Sequence, residues 1–405
     1  MIRLITIILG LNLMPISNAP ALAQSVKAFE FAWKKLEKYY TESLSEAGVV
    51  GSSTMFIRDG EILGASYYGM ADLESKRRVD AQTIYHWASN TKMFTNIAIM
   101  QLRDRGLLSL DDPIIECIPE LKAVHNPFGD MREITLRHLM SHSAGFRAPT
   151  WPWGGDKSWH PHEPTTWQQL VAMFPYTEIL FKPGSKYSYS NPGIIFLGRV
   201  IELLSGDDYE VYVDKNILKP LKMYASYFDH SPYHLLQNRS NNYDIIGGEM
   251  TTNGLDFDTG ITVSNGGLNA PLGDIAKFVG FLIGSETKQA AYDSILKRTS
   301  LEEMWQPQVQ VSSKENMHVS MGLGFFIHET GAVRIIGHTG HQKAFSTFIY
   351  VHPPSRTGCV AAFNTVVIKK GEEGESYSAN NRVFEGLQKK YFNEIISIFA
   401  ASENR

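Results

Sequence analysis

Ser89 and Lys92 are the residues best suited to chemistry, and they precede an apolar, helix-compatible segment at 94–108. Residues three apart on a helix share a face, so the two side chains would stand together. A lysine whose pKa is lowered by burial can take the proton of a serine hydroxyl and make its oxygen nucleophilic. The helix start would also place N–H groups beside a developing oxyanion. The alternative is a capped helix with a solvated lysine, because Ser-x-x-Lys also arises by chance.

Tyr189 and Asn191 form a Tyr-x-Asn pattern about a hundred residues later. If Tyr189 lies near Lys92, the cation should lower the tyrosine pKa. Tyr189 could then accept the Ser89 proton and later protonate the leaving group. Asn191 offers a donor and an acceptor for a substrate amide. A buried tyrosine and a turn-forming asparagine before Pro192 are the alternative.

The sequence Gly-His-Thr-Gly-His at 337–341 precedes a strand-like run at 344–351. The backbone N–H of His341 and that of Ser89 could form an oxyanion hole, because glycines allow close approach of a strand. The side chains of His338 and Thr339 could face the substrate. A glycine-rich hairpin turn is the alternative.

The elements that must position these residues predict an α+β fold, with an antiparallel sheet built from both chain ends and a mainly helical insertion. Asp59-Gly60 is a strong hairpin signal, and Asp274 is a plausible cap for a helix at 274–283. The other predicted elements are a helix at 26–47, strands at 49–57, 61–68, 321–328, 332–336, 344–352 and 358–363, and a helix at 380–399. We expect one domain at 24–400, with a sheet lobe at about 24–85 and 310–400 and a helical lobe at about 86–309. A cleft should lie where the lobes meet.

The first 23 residues are typical of a signal peptide. Arg3 precedes an apolar run at 4–13, and Ala21-Leu22-Ala23 forms an A-x-A cleavage site before Gln24. The run is shorter than the ~20 apolar residues of a membrane span. We therefore expect a periplasmic or secreted protein without a stable membrane anchor after cleavage.

Composition narrows the function further. The formal net charge is −4, and no basic run or stripe indicates a nucleic-acid surface. Cys117 and Cys359 could pair in an exported protein, but two distant cysteines are not a disulfide framework. We expect two separate thiols.

The three patterns in this order resemble the serine β-lactamase and penicillin-binding-protein superfamily, above all class C β-lactamases and their relatives. Those relatives include esterases, D-aminopeptidases, DD-carboxypeptidases and peptidases that cut linearised microcystin. The segment at 134–145, which contains His138 and His142, resembles the superfamily's His-Leu-Leu-x-His-x-Ser-Gly landmark. The resemblance implies a β-lactamase/transpeptidase-like fold and a structural role for these two histidines.

The resemblance also implies roles for individual residues. It makes Ser89 the acyl-forming nucleophile, and Lys92 with Tyr189 the pair that handles protons. The implied substrate-binding residues are Asn191, His338, Thr339, Gly340 and His341. His338 stands where class C β-lactamases carry the lysine of Lys-Thr-Gly, which is a permanent cation for a substrate carboxylate. Histidine is mostly neutral at pH 7, so this departure argues against strong β-lactamase activity.

We therefore predict an exported serine hydrolase that cleaves amide bonds of small peptides or peptide-like compounds without a cofactor or metal. A carboxyl esterase is the alternative, followed by a β-lactamase or DD-carboxypeptidase and by a non-catalytic penicillin-receptor-like domain. The tryptophan-rich segment at 151–167 could form an apolar wall for a bulky substrate group or simply pack on itself. Zinc binding by His160, His162 and Glu163 is the remaining possibility there.

Overall fold

A computed structural model describes residues 19–149, 164–256, 258–314, 317–331, 333–371 and 375–403. Its strands fall into two groups, near the two chain ends and in the middle of the chain. In chain order they are β1 (Gly51–Arg58), β2 (Glu61–Asp72), β3 (Arg77–Arg78), β4 (Ile84–His86), β5 (Tyr227–Phe228), β6 (Tyr243–Ile246), β7 (Glu249–Thr252), β8 (Leu268–Pro271), β9 (Val309–Lys314), β10 (Met317–Met321), β11 (Phe326–Thr330), β12 (Val333–Gln342), β13 (Phe345–His352), β14 (Thr357–Phe363), β15 (Thr365–Lys370) and β16 (Ser376–Ser378).

The main sheet has nine strands in the order β3-β2-β1-β14-β13-β12-β11-β10-β9. The two chain ends meet where β1 pairs antiparallel with β14, with Ser52 opposite Phe363. This confirms the predicted α+β fold with an antiparallel sheet built from both ends. Two smaller sheets have the orders β16-β15-β6-β7 and β4-β8-β5.

Most of the helices lie between β4 and β9, and others flank the sheet at both chain ends. They are α1 (Ala19–Ala47), α2 (Thr91–Asp104), α3 (Ile114–Cys117), α4 (Leu136–Met140), α5 (Trp167–Ala172), α6 (Asn191–Ser205), α7 (Tyr209–Val213), α8 (Tyr233–Leu236), α9 (Val263–Gly266), α10 (Leu272–Ile283), α11 (Gln289–Asp293), α12 (Arg298–Met304), α13 (Ala379–Lys390) and α14 (Ser397–Glu403).

The main sheet is covered on both faces, and its central strands β1, β14 and β13 are buried along almost their whole length. The α1 and α13 helices close one face with an aromatic core that includes Phe29, Phe56 and Tyr391. The α10 helix covers the other face, and Phe94 of α2 stacks on its Phe278 with ring centroids 4.1 Å apart. Burying such aromatic side chains contributes about 1.5–3 kcal/mol each.

Several predicted elements match closely. The Asp59-Gly60 turn joins β1 to β2, and both residues have positive φ, at 54° and 80°. The closing helix contains a π-helical stretch, Tyr391–Ile396. The assignment of Asp274 as a cap was wrong, because α10 begins at Leu272. The Asp274 carboxylate instead accepts hydrogen bonds from the backbone N–H of Ala225 and from the hydroxyl of Ser226.

The division into two lobes stays a prediction, and one sheet crosses the predicted boundary, because β6 pairs in parallel with β15. The predicted signal peptide lies mostly outside the described residues, and α1 begins within it at Ala19. No helix in the described part of the chain has the length and apolar character needed to cross a membrane. Cys117 and Cys359 are both free thiols.

Candidate active site

Ser89 lies in a single 3-10 turn between β4 and α2, and the α-helix itself begins two residues later at Thr91. The preceding residue, Ala88, has φ +46°, a left-handed conformation that non-glycine residues rarely adopt. Asn90 holds the turn against the sheet by donating to the hydroxyl of Thr347 on β13 at 2.8 Å. Backbone strain kept in place by such contacts is common at functional sites.

Lys92 occupies the first turn of α2 and is completely buried. Its Nζ lies 3.0 Å from Ser89 Oγ and donates to the carbonyl oxygen of Asn265 at 2.8 Å. Both partners are uncharged, and burial lowers the pKa of Lys92 well below its usual value. A neutral amine in this position can accept the serine proton.

Tyr189 completes the group, because its hydroxyl hydrogen bonds to Ser89. Lys92 Nζ lies 4.9 Å from the centroid of the Tyr189 ring. We predicted a lowered tyrosine pKa, which was wrong: burial raises the pKa of Tyr189 well above its usual value. The reason is the cost of burying a phenolate, which the hydrogen bond to Ser89 offsets only in part.

Asn191 is the first residue of α6 and is half-buried. The Ser190 hydroxyl caps the helix by accepting from the Gly193 backbone N–H at 3.1 Å. This cap ties Asn191 to the same rigid helix start that follows Tyr189. A contact between Asn191 and a substrate amide stays a prediction.

β12 approaches the serine turn closely. A Cβ on Gly340 would lie 2.2 Å from the Trp87 carbonyl oxygen, so only glycine permits this approach. β11 pairs with β12 only as far as Gly337. Hydrogen-bonding directions alternate along antiparallel strands, so the N–H groups of Thr339 and His341 point to the side that β11 leaves open. An oxyanion hole from Ser89 and His341 stays a prediction, and this edge has the orientation that it requires.

His338 is buried on the face of β12 that carries the site, with its ring centroid 6.2 Å from that of Tyr189. Its Nδ1 hydrogen bonds to the Thr339 carbonyl. Burial, followed by the nearby Lys92, lowers the pKa of His338 to about 3. His338 is therefore uncharged at neutral pH in the substrate-free protein.

Thr339 and His341 alternate with His338 and so face the opposite side of the sheet. The His341 ring lies 5.2 Å from that of Phe384 on α13, and Thr339 pairs with Phe348 of the same core. In His341 the backbone, rather than the side chain, is the part oriented towards the site.

Two groups at the site escaped the sequence reasoning. The Asn265 carbonyl binds Lys92 from 173 residues away along the chain, and only its Ser-Asn-Gly-Gly turn sequence marks it. The ring of His142 stacks on that of Tyr189 at 4.5 Å. The Ser-Gly landmark could have drawn attention to His142, which we interpreted as structural.

The structure says less about the tryptophan-rich segment and its possible zinc ligands. Trp151, Trp153, Trp159 and the possible zinc ligands lie outside the described residues. Trp167 begins α5 and packs edge-on against Phe174. In the described part of the chain, no three His, Cys, Asp or Glu side chains are grouped as metal ligands would be.

The fold and a serine held between a buried lysine and a tyrosine define a serine hydrolase of the β-lactamase and penicillin-binding class. The family model described as Beta-lactamase matches residues 35–380, and the chain belongs to this family.

Known proteins of related sequence are distant. Protein flp of Staphylococcus aureus (strain N315) is 23% identical over 335 residues, which is 82% of this chain and 63% of that protein. Penicillin-binding protein 4* of Bacillus subtilis (strain 168) is 24% identical over 76% of this chain and 66% of its own length. The chain thus spans less than two thirds of either relative.

Solved structures agree on the fold. The octameric penicillin-binding protein homologue from Pyrococcus abyssi has a TM-score of 0.71 at 28% identity, over 87% of this chain and 76% of that one. The D-stereospecific amidohydrolase from Streptomyces sp. has a TM-score of 0.66 at 23% identity, over 88% of this chain and 98% of that one.

Proposed function

We propose that this protein cleaves amide bonds of small peptides or peptide-like compounds through an acyl-enzyme on Ser89. The observation that carries the proposal is the 3.0 Å contact between Ser89 Oγ and the buried amine of Lys92. A lysine with a lowered pKa in an uncharged surrounding is a base rather than an ion-pair partner.

The chemistry takes two steps. As Ser89 Oγ attacks the substrate carbonyl, the neutral Lys92 amine takes the hydroxyl proton. Tyr189 gives its own proton to the leaving nitrogen and recovers one from the Lys92 ammonium, so the net transfer runs from serine to the leaving amine. Water then attacks the acyl-enzyme, and the same pair takes the proton of that water and passes it to Ser89 Oγ as the carboxylic acid leaves.

His338 supports a substrate class other than β-lactams. Its Nδ1–H donates to the Thr339 carbonyl, so Nε2 carries the lone pair and is a hydrogen-bond acceptor. A class C β-lactamase has a cation here. An acceptor suits a substrate donor, such as an amide N–H or an ammonium group, better than a carboxylate.

Amide and ester cleavage share this acylation chemistry, and experiment must separate them. A protein of the same fold is named a D-stereospecific amidohydrolase, which supports amide cleavage as a chemistry this scaffold accommodates. We would assay L- and D-aminoacyl p-nitroanilides, p-nitrophenyl esters and nitrocefin, with Ser89→Ala as control. We expect the wild type to turn over the anilides steadily and Ser89→Ala not to do so. Turnover of esters alone would establish the esterase alternative, and a burst without turnover would establish a non-catalytic receptor.

Labelling gives a test that needs no substrate. A fluorophosphonate probe should modify Ser89, as peptide mapping would show, and Ser89→Ala should not react. Labelling that survives this change would contradict the proposal.

Export is part of the proposal and has its own test. Cleavage after Ala23 would leave most of α1 in place, since the helix extends to Ala47. We expect the N-terminus of the mature protein to begin at Gln24 when the full chain is expressed in a Gram-negative host and fractionated. Uncleaved protein in the cytoplasm would refute export.

A further inference from the structure

His142 holds the Tyr189 segment at three points. Its carbonyl accepts from the Ser188 N–H at 2.8 Å, and its Nδ1 accepts from the Ser190 N–H at 3.1 Å. Between these two bonds its ring stacks on Tyr189, with the planes inclined by 33°. One residue thus binds the backbone on both sides of Tyr189 and covers the ring itself.

Tyr189 does not belong to a β-strand or a helix that would fix its backbone directly. Residues 187–190 form neither strand nor helix, and α6 begins only at Asn191. Backbone outside regular structure is free to move unless other groups hold it. The bonds to His142 are therefore the nearest constraint on the backbone that carries Tyr189.

The chemistry of the His142 ring goes beyond packing. Since Nδ1 accepts a backbone N–H, the proton must reside on Nε2. Nε2 is buried and has no hydrogen-bond partner among the described residues. His142 itself has φ +54°. An orphaned buried donor and a left-handed backbone are both costs, and a merely space-filling role would not require an imidazole that bears them.

We propose that His142 is a positioning residue that fixes the Tyr189 hydroxyl for proton delivery to the leaving group. This inference rests on the proposed function and extends it beyond the three reacting side chains. A displacement of about 1 Å in a catalytic group can cost about 100-fold in rate. Loss of the Nδ1 contact should therefore impair the step that needs a proton.

Leaving groups offer a readout that structural damage would not reproduce. A p-nitroaniline nitrogen must be protonated to leave, whereas p-nitrophenolate leaves readily without a proton. We expect His142→Phe, which keeps a ring but has no acceptor for the Ser190 N–H, to lower kcat for an aminoacyl p-nitroanilide roughly 10- to 100-fold. We expect kcat for p-nitrophenyl acetate to fall by less than about threefold, with KM little changed for either.

A conservative variant and a double variant complete the test. His142→Asn retains an acceptor near the Nδ1 position and tolerates the left-handed backbone, so it should recover most of the anilide activity. In a Tyr189→Phe background, His142→Phe should have almost no further effect, because the hydroxyl it positions is gone. His138→Asn is the matched control, since His138 lies on the short helix α4 that ends just before His142, and its Nδ1 accepts from the Thr135 backbone N–H. It should affect both substrates equally.

The outcomes are distinguishable. If Tyr189→Phe leaves the ratio of anilide to ester rates unchanged, the proposed proton role of Tyr189 fails. If Tyr189→Phe lowers that ratio but His142→Phe does not, or if the two changes multiply fully in the double variant, the positioning role of His142 is overturned and the proposed function stands.

Discussion

On each face of the main sheet, a series of hydrogen bonds links a buried tyrosine to a serine. We call each series a hydrogen-bonded chain. On the α1 side, Tyr40 donates to Ser52 Oγ at 2.7 Å, and Ser52 donates to the Ala362 carbonyl at 2.9 Å. On the α2 side, Tyr189 bonds to Ser89, which meets Lys92 Nζ at 3.0 Å. The first chain ends in a backbone carbonyl, whereas the second reaches an amine.

The comparison shows what makes one chain reactive. Burial raises the pKa of Tyr40 and Tyr189 alike, so a perturbed tyrosine does not identify a site. The difference is Lys92, whose pKa burial lowers. The Ser52 hydroxyl donates to a carbonyl oxygen, whereas the Ser89 hydroxyl contacts the amine that is the base in the proposed mechanism. A hydrogen-bonded tyrosine and serine can thus serve either stability or the proposed catalysis. The group that the serine contacts next distinguishes the two cases.

The largest effect on kcat should come from replacing each of the two serines, Ser89 and Ser52, by alanine. Ser89→Ala should lower kcat by roughly 10,000-fold or more, because no other group can form the acyl-enzyme. Ser52→Ala should leave kcat unchanged and lower the free energy of unfolding by about 1–3 kcal/mol, since the Tyr40 hydroxyl loses its buried partner. Steady-state kinetics and urea unfolding would measure both, and a large loss of kcat in Ser52→Ala would break the comparison.

Lys92 comes next in expected size. Lys92→Met and Lys92→Arg should both lower kcat roughly 1,000-fold, because thioether cannot accept a proton and guanidinium keeps its charge. Lys92→Met should not destabilise the protein, since it removes a buried amine and keeps an unbranched apolar chain. Activity and thermal unfolding would test this pair. Substantial activity in Lys92→Arg would rule out Lys92 as the base.

The tyrosines sharpen the contrast further. Tyr189→Phe should lower kcat for anilides roughly 100- to 1,000-fold with little change in stability. Tyr391→Phe removes a hydroxyl bound to Thr54 at 2.7 Å on the other face. It should cost about 1 kcal/mol of unfolding free energy and no activity. Equal kinetic effects of the two changes would refute the distinction.

Two histidines provide the smallest and subtlest test. Burial lowers the pKa of His338 to about 3 on the site face, and that of His328 to about 4 on the face of α13. Unfolded histidine takes up its proton near pH 6.5. Between pH 6.5 and these lowered values the unfolded chain therefore binds more protons, and stability falls as pH falls.

From pH 7 to pH 5 this loss amounts to up to about 2 kcal/mol for buried His338 and somewhat less for half-buried His328. His338→Gln and His328→Gln should each reduce the loss by its share, as unfolding at both pH values would show. Only His338→Gln should also alter hydrolysis at pH 7. An unchanged pH dependence in His338→Gln would mean that this imidazole already charges in the folded protein.

Much of the architecture could be predicted from local sequence. Asp59-Gly60 specifies its hairpin through residues that accept positive φ, and apolar periodicity specifies α1 and α10. Asp274 was misassigned as a cap because its partners, Ala225 and Ser226, lie about fifty residues away. A carboxylate near a helix start is equally suited to a cap or a tertiary contact, and only packing decides between them.

The sequence by itself determined which groups could react: the spacing of Ser89 and Lys92 holds them together because one helical turn separates them. Tertiary structure decided how they are charged. Burial beside the Asn265 carbonyl lowers the pKa of Lys92, burial raises the pKa of Tyr189 and lowers that of His338, and His142 reaches Tyr189 across 47 residues of chain. Protonation depends on solvent exclusion by distant segments, which no local pattern encodes.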